Sequence, residues 1–296
     1  MKLTLSRGLR LRLFVYPALG LLLAVLGRSQ GNRLFYWPDQ GSYSDPAAQG
    51  RHVEDVWFTA ADGTRLHGWF LPAVGPARGS VLYYHGNSQN LTAHYWYVSW
   101  LPEAGYNLFL FDYRGFGQSA GHPDRDGLAL DSIAALQYIQ TRPDVDKKSL
   151  VIFAQSLGGA CALAALGETE GRLTRAIAVD STFYSYRGVA EDVLKKHWAS
   201  WLFSWPLATW GVTDDHSPSL TLSRLAPTPL LVIHGDADQI VPFSQGQRLF
   251  EQAGQPKQFI LVPGGHHCDA VDSPAYRKLL LDFFAQSIAA PPASQM

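Results

Sequence analysis

The stretch from Ser149 to Ala162 limits most strongly what this chain can fold into. It begins with an apolar run, 150–154, that is rich in strand-forming residues and too short for a helix. It ends with a run of small residues, 158–165, which is typical of a helix packed closely against a sheet. Ser156 stands between the two runs. The stretch therefore predicts a buried strand, a sharp turn that carries a serine, and a helix.

The residues around Ser156 match the Gly-x-Ser-x-Gly pattern of a nucleophile elbow, with Ala154 in place of the first glycine. The turn needs small residues two positions on either side of the serine, and Ala154 and Gly158 meet that requirement. It would place the hydroxyl at the carboxyl edge of a parallel sheet and at the amino end of a helix. There the helix dipole and the Leu157 amide can stabilise negative charge. The structural alternative is an ordinary strand–helix turn that contains a serine.

The amino-acid composition argues against several classes of function. The chain has 296 residues, of which 47% are hydrophobic, so it can bury a full core. A net charge of −1 gives no electrostatic reason to expect nucleic acid as a partner. Cys161 and Cys268 are too few for a disulfide framework or a cysteine-built metal site, and no cofactor is implied. Cys161 is expected to be a small buried residue, whereas Cys268, beside candidate histidines, is a candidate reactive thiol.

The amino terminus has the pattern of a targeting segment. Four basic residues precede the uncharged apolar run 13–27, namely Lys2, Arg7, Arg10 and Arg12. This order predicts a signal anchor or a signal peptide over residues 1–28. No clear cleavage site follows the run, so we favour an anchor with its basic end in the cytoplasm. The catalytic domain would then lie outside the cytoplasm, or be secreted if the segment is cleaved.

The remaining chain predicts one α/β domain over residues 52–290, preceded by an aromatic-containing linker, 29–51, and followed by a tail, 291–296. An Asp-Gly turn at 62–63 joins two strand patterns into a hairpin. Strand and helix patterns then alternate from Ser80 onward. Such alternation predicts a mostly parallel sheet of about eight strands, with helices on both faces and an antiparallel hairpin at one edge.

An insertion at 181–228 interrupts this alternation. It is rich in aromatic residues, namely Phe183, Tyr184, Tyr186, Trp198, Trp201, Phe203, Trp205 and Trp210. Because it follows a strand, it should lie over the carboxyl edge of the sheet. We interpret it as a small helical cap that forms an apolar substrate pocket. Helices that fill an ordinary surface are the alternative.

Partners for Ser156 come from two later strand ends. A serine hydroxyl needs a base within hydrogen-bond distance and a third group to orient that base. Asp236 and Asp238 follow one predicted strand, and His266 and His267 follow the next. These positions alone do not decide which aspartate is the acid or which histidine is the base. The order Ser, Asp, His along the chain is that of α/β-hydrolases.

From about Val53 to Ser287 the chain resembles the serine α/β-hydrolases, and it looks most like the membrane-anchored branch related to acyl-protein depalmitoylases. The matching pieces are His85-Gly86-Asn87, Phe111-Asp112-Tyr113-Arg114-Gly115-Phe116-Gly117-Gln118-Ser119, the elbow, and the His234-Gly235-x-x-Asp238-x-x-Val241-Pro242 motif. The resemblance implies the α/β-hydrolase fold and makes Asp238 the acid. The family's Pro-x-x-x-His spacing makes His267 the base, which is the assignment we favour, and a Gly-Gly-His reading leaves His266 as the alternative.

The same resemblance implies roles around the loop that follows the third strand. Asn87 and Leu157 would supply the oxyanion-hole amides. His85 would be a structural hydrogen-bonding residue, and Asp112 and Arg114 a pair that braces the loop.

We therefore expect a serine hydrolase that cleaves an acyl ester or thioester through an acyl-enzyme. A small-molecule or lipid-like acyl compound would be its substrate, and its amino-terminal segment would attach to a membrane. A serine peptidase is the first alternative, and a non-catalytic binding protein on the same fold is the second.

Overall fold

Eight strands form one twisted sheet in the computed structural model of the protein, which describes residues 32–169, 173–196 and 204–291. The bounds of these eight strands are β2 Glu54–Thr59, β3 Arg65–Leu71, β4 Gly79–Tyr84, β6 Tyr106–Phe111, β7 Leu150–Gln155, β8 Ile177–Asp180, β9 Leu230–Gly235 and β10 Lys257–Val262. Two further strands, β1 Trp37–Pro38 and β5 Ser88–Gln89, form a separate short pair.

The sheet order is β10-β9-β8-β7-β4-β6-β3-β2. The six strands from β10 to β6 run parallel, while β3 and β2 are antiparallel at one edge. The predicted hairpin at 53–71 is this edge pair, and the predicted mostly parallel sheet of about eight strands is confirmed.

Helices cover both faces of the sheet in the described ranges. Their bounds are α1 Leu91–Val98, α2 Arg125–Ile139, α3 Leu157–Glu168, α4 Tyr186–Lys195, α5 Ser204–Gly211, α6 Pro218–Thr221, α7 Phe243–Gln252 and α8 Pro274–Ala289. Short 3-10 helices lie at Lys147–Ser149, Leu222–Arg224 and Asp269–Asp272.

Alternating side chains of the central strands build a core on each face of the sheet. In β4, Leu82 and Tyr84 join the core that contains α2 and α3, whereas Val81 and Tyr83 join the core that contains α1 and α8. A strand buried on both faces is mostly apolar, which explains why β4, β6 and β7 each contain at least four consecutive apolar residues.

The parallel strands bring their carboxyl ends to one edge of the sheet. The segments that follow β4, β7, β8, β9 and β10 therefore meet there, and they carry the predicted site residues.

Residues 32–51, predicted to be a linker, pack on the domain. Tyr36 is buried and its hydroxyl accepts a hydrogen bond of 3.0 Å from Arg125. β1 pairs in parallel with β5, directly after the loop that contains Asn87. The predicted anchor, 1–28, lies outside the described residues. Among the residues that the structure does describe, no helix is long and apolar enough to cross a membrane.

Candidate active site

Ser156 stands at the sharp turn between β7 and α3, as the sequence predicts. Its backbone is in the left-handed region, with φ of +52°, which is uncommon for a residue with a side chain. Two hydrogen bonds hold the turn: the Ser156 amide donates to the Asp180 carbonyl at 2.9 Å, and the Thr182 hydroxyl donates to the Ser156 carbonyl at 2.7 Å. The surrounding structure thus maintains a strained backbone, a feature that clusters at functional sites.

Close contact between α3 and β4 explains the glycine after the serine. A Cβ atom on Gly158 would come within 2.2 Å of the Tyr84 carbonyl oxygen and 2.5 Å of that of His85. Any side chain here would push the helix away from the strand. The amino end of α3, with the Leu157 amide, therefore lies against the loop after β4.

Asp238 and His267 form a hydrogen-bonded pair. His267 Nδ1 donates to Asp238 Oδ2 at 2.8 Å, and the Asp238 carboxylate is fully buried. The other carboxylate oxygen accepts from the amides of Ile240 and Val241 at 2.8 and 2.9 Å. The aspartate is thus fixed by the β9 loop and orients the imidazole of the β10 loop.

The pKa of Asp238 is held below its ordinary value. Burial alone would raise it, but hydrogen bonds from His234 and His267 and from the backbone outweigh that effect. The carboxylate therefore stays charged at neutral pH, as a group that stabilises an imidazolium must.

The neighbouring candidates take other positions. His266 is exposed; its Nδ1 lies 3.3 Å from the Ala237 carbonyl, and its amide donates to Asp269. Asp236 accepts a hydrogen bond from the Gly264 amide at 2.6 Å. Of the two aspartates and two histidines, the structure brings together Asp238 and His267.

The β10 loop is joined to the elbow through the end of β8. The Cys268 amide donates to Ser181 Oγ at 2.9 Å, and Ser181 follows Asp180, whose carbonyl binds the Ser156 amide. Within the described residues no direct hydrogen bond joins Ser156 Oγ to His267. Such bonds are often long before substrate binds.

The loop after β4 carries Asn87 toward the same edge. Gly86 lies beside the elbow, since a Cβ on it would be 3.7 Å from Ser156 Cβ. His85 is fully buried, and its Nδ1 donates to the Gly86 carbonyl at 2.7 Å. His85 is therefore structural, as expected.

Asp112 and Arg114 are both buried, but they do not pair with each other. Asp112 accepts from the Leu91 amide at 2.7 Å and lies 3.3 Å from His85 Nε2, so it braces the loop alone. Arg114 binds Asp131 and Asp62, each at 2.8 Å. The expected bracing pair is thus two separate interactions, and Asp131 was missed because it is 17 residues away in the sequence.

Residues 92–290 match the sequence model of the prolyl oligopeptidase family, which covers more than half of the chain. The chain belongs to the prolyl oligopeptidase family. Among the relatives of this α/β-hydrolase, the Escherichia coli K12 protein YfhR is 38% identical over 86% of this chain and 87% of its own. The α/β-hydrolase domain-containing protein WAV2 of Arabidopsis thaliana is 30% identical over 76% and 75%.

Solved structures share the fold of this family member. An esterase from Pyrococcus furiosus superposes with a TM-score of 0.67 at 20% identity, over 86% of this chain and 98% of that one. The esterase domain of a Rhodothermus marinus protein gives 0.58 at 21% identity, over 80% and 100%. At such identities the likeness establishes the fold.

His234 is a site residue to which sequence reasoning gave no role. It is fully buried, donates from Nε2 to the Val241 carbonyl at 3.0 Å, and places that atom 3.4 Å from Asp238 Oδ2. It thus lies beside the same carboxylate oxygen that His267 contacts. The sequence contained a signal for this role, because His234 is the first residue of the motif that ends at Pro242.

A buried polar network lies beneath the elbow. Tyr83 donates to Gln155 at 2.5 Å, and Gln155 donates to Asp180 at 3.0 Å. Cys268 borders it with a buried thiol whose pKa is raised well above its ordinary value by burial. A thiol in that state is a poor nucleophile, so the suggestion of a reactive Cys268 is wrong. Cys161 is buried as expected.

The inserted segment is helical where it is described. α4 approaches the β9 loop, since Lys196 Nζ donates to the Gln239 carbonyl at 2.9 Å. Phe183 and Tyr186 are buried, whereas Trp205 and Trp210 are 63% and 66% exposed. Trp198, Trp201 and Phe203 lie outside the described residues. Among the described residues no group of three or more His, Cys, Asp or Glu side chains is arranged to hold a metal ion.

Proposed function

We propose that this protein is a serine hydrolase that cleaves an acyl ester or thioester through an acyl-enzyme intermediate. The observation that carries the proposal is the Asp238–His267 pair, at 2.8 Å, at the sheet edge where a left-handed turn presents Ser156. The nucleophile, the orienting acid and the base follow β7, β9 and β10 at one edge of the sheet, in the chain order Ser, Asp, His that is typical of α/β-hydrolases. Membership of a hydrolase family supports the same chemistry.

In the first half-reaction, Ser156 Oγ attacks the acyl carbonyl carbon and His267 Nε2 takes the hydroxyl proton. Nε2 is the basic nitrogen because Asp238 holds the proton on Nδ1. The amides of Leu157 and Asn87 bind the oxyanion of the tetrahedral intermediate. When the intermediate collapses, the imidazolium gives its proton to the departing alcohol or thiol.

In the second half-reaction, water attacks the acyl-enzyme and His267 takes a proton from that water. When the second tetrahedral intermediate collapses, the bond between the acyl carbon and Ser156 Oγ breaks, the carboxylic acid leaves, and the His267 imidazolium returns its proton to Ser156 Oγ. Asp238 remains ionised throughout, in keeping with its lowered pKa.

An acyl chain is the proposed group on the carbonyl. The aromatic composition of the insertion supports an apolar acyl pocket, since the end of α4 contacts the loop that carries Asp238. The resemblance to depalmitoylases extends the proposal to acyl thioesters. A peptidase is the second candidate, because the matching family is named for oligopeptidase activity. A panel of acyl esters, acyl thioesters and aminoacyl amides separates them: faster turnover of the amides would favour the peptidase.

Replacing the nucleophile tests the proposal. Ser156→Ala should reduce turnover of short acyl esters by about a millionfold, because the chemical step then has no nucleophile. Ser99→Ala is the matched control, since Ser99 lies at the end of α1 and its hydroxyl donates locally to the Trp96 carbonyl. Undiminished hydrolysis by Ser156→Ala would refute the proposal.

We also propose that the amino-terminal segment attaches the domain to a membrane, with the catalytic domain outside the cytoplasm. The basic-then-apolar order of residues 2–27 supports this. The exposed side chains of Leu34, Trp37 and Trp210 support it as well. Asn32 donates to the Thr213 hydroxyl, so the segment that carries Leu34 and Trp37 lies beside the end of α5, which carries Trp210. Release of the full-length protein from membranes by salt without detergent would contradict attachment by an apolar segment.

A further inference from the structure

All five backbone carbonyl groups of the loop from His85 to Gln89 accept a hydrogen bond. The donors, in order, are the Tyr113 hydroxyl at 3.2 Å, His85 Nδ1 at 2.7 Å, the Trp37 amide at 2.9 Å, His94 Nε2 at 2.9 Å and the Asp39 amide at 3.2 Å. This loop carries the Asn87 amide proposed for the oxyanion hole.

Fixing these carbonyl groups also fixes the amides. A peptide group is planar, so a carbonyl and the following N–H point in opposite directions. The bond to the Gly86 carbonyl therefore sets the direction of the Asn87 amide. The bond to the Asn87 carbonyl fixes the next peptide plane, so that Asn87 is held on both sides.

Two of the five donors belong to residues that are about fifty positions earlier in the chain. The Trp37 and Asp39 amides reach the loop because β1 lies parallel to β5. This segment is itself held: the Asp39 carbonyl accepts from the Gly117 amide at 2.9 Å, and Asn90 donates to the Asp39 carboxylate at 2.9 Å. Asn90 also donates to the Gly41 carbonyl at 2.7 Å.

We propose that β1 is a positioning element for the oxyanion hole, and that the backbone amides of Trp37 and Asp39 are the groups through which it acts. The inference rests on the proposed function, because it assigns a role to β1 in that reaction. The Trp37 ring is 62% exposed and bonds locally to the Leu34 carbonyl. Trp37 therefore positions the loop through its backbone amide and not through its indole.

Proline replacement separates the two parts. Trp37→Pro and Trp37→Phe in the full-length protein both lack the indole, but only the proline variant lacks the amide donor. We expect kcat for an acyl ester to be at least about tenfold lower in Trp37→Pro than in Trp37→Phe, a partial loss of oxyanion stabilisation. KM should differ by less than about twofold, because the ground-state substrate does not need the aligned donor.

A transition-state analogue gives a second readout. The affinity for a trifluoromethyl ketone, whose adduct with the serine has an oxyanion, should fall in parallel with kcat. Ser42→Pro controls for proline in the same segment, since the Ser42 amide has no hydrogen-bond partner among the described residues. It should retain the activity of the unmodified protein.

Equal kcat in Trp37→Pro and Trp37→Phe, or a change in KM alone, would overturn the inference. If Trp37→Pro does not fold, amide hydrogen exchange of the unmodified protein decides: slow exchange at Trp37 and Asp39 supports β1 as a brace, and unprotected exchange there refutes it. Failure of the proposed function itself would appear differently, as an unmodified protein no more active than Ser156→Ala.

Discussion

His267 Nδ1 lies 2.8 Å from Asp238 Oδ2, and this bond fixes which imidazole nitrogen can act as a base. A carboxylate can only accept, so the proton must reside on Nδ1. Nε2 then keeps its lone pair, and in the part of the chain that the structure describes it has no hydrogen-bond partner. His234 holds the same carboxylate oxygen at 3.4 Å.

Replacing the acid should therefore disable the base without removing it. We expect Asp238→Asn to lower kcat by about ten-thousandfold, because an amide can donate to Nδ1 and stabilise the wrong tautomer. Asp236→Asn is the matched control on the same loop and should stay within about tenfold of the unmodified protein, since no step in the mechanism uses it. Steady-state kinetics on an acyl ester measure both, and similar losses in the two variants would contradict the assignment.

The histidine doublet allows a test with neighbouring residues. His267→Ala should lose nearly all turnover, whereas His266→Ala should retain most of it, because His266 is exposed and bonds to a backbone carbonyl. Single-turnover measurements on the two variants compare them directly. The reverse pattern would transfer the role of base to His266.

Gly158 offers a prediction about the shape of the elbow. Gly158→Ala should destabilise the protein by about 1–3 kcal/mol and reduce turnover, because the new methyl group would overlap the Tyr84 carbonyl oxygen. Gly211→Ala is the control: a Cβ there meets nothing within 4 Å, and alanine favours a helix. Thermal unfolding measures the difference, and equal unfolding temperatures would show that α3 can move away at no cost.

His94 should make the folded state sensitive to mild acid. Burial lowers its pKa to about 3, and the nearby His85 contributes in the same direction. The ordinary pKa of histidine is about 6.5, so below that pH His94 is protonated in the unfolded chain but stays neutral in the folded protein. The free energy of unfolding therefore decreases as the pH falls from about 6.5 toward the pKa of His94 in the folded protein.

His94→Gln should accordingly lose less stability than the unmodified protein between pH 7 and pH 5. Urea unfolding at the two pH values measures the loss for each protein. Parallel losses would show that His94 does not titrate in this way.

Local patterns were enough to predict the sheet, the elbow and the polar strand ends. Each depends on neighbouring residues: the apolar run of β7 predicts a buried strand, and the small residues after Ser156 predict close packing. The choice between Asp236 and Asp238, or between His266 and His267, needs the direction of each side chain. That direction depends on how two loops meet, and here family resemblance had to supply the assignment.

Contacts between distant parts of the chain could not be predicted. β1 has two residues, and its pairing with β5 depends on Asn90 and Gly117, far along the sequence. Arg114 likewise finds Asp131 on α2 and not the nearby Asp112. Such pairings follow from packing the elements together, which no local pattern records.

Labelling with a fluorophosphonate probe tests the central claim most directly, because the reagent reacts with an activated serine. The full-length protein should be labelled once, and peptide mapping should place the adduct on Ser156. Asp238→Asn should react far more slowly, and Ser156→Ala not at all. No labelling of the unmodified protein, or an adduct on another residue that persists in Ser156→Ala, would contradict the claim that Ser156, Asp238 and His267 form a working nucleophilic site.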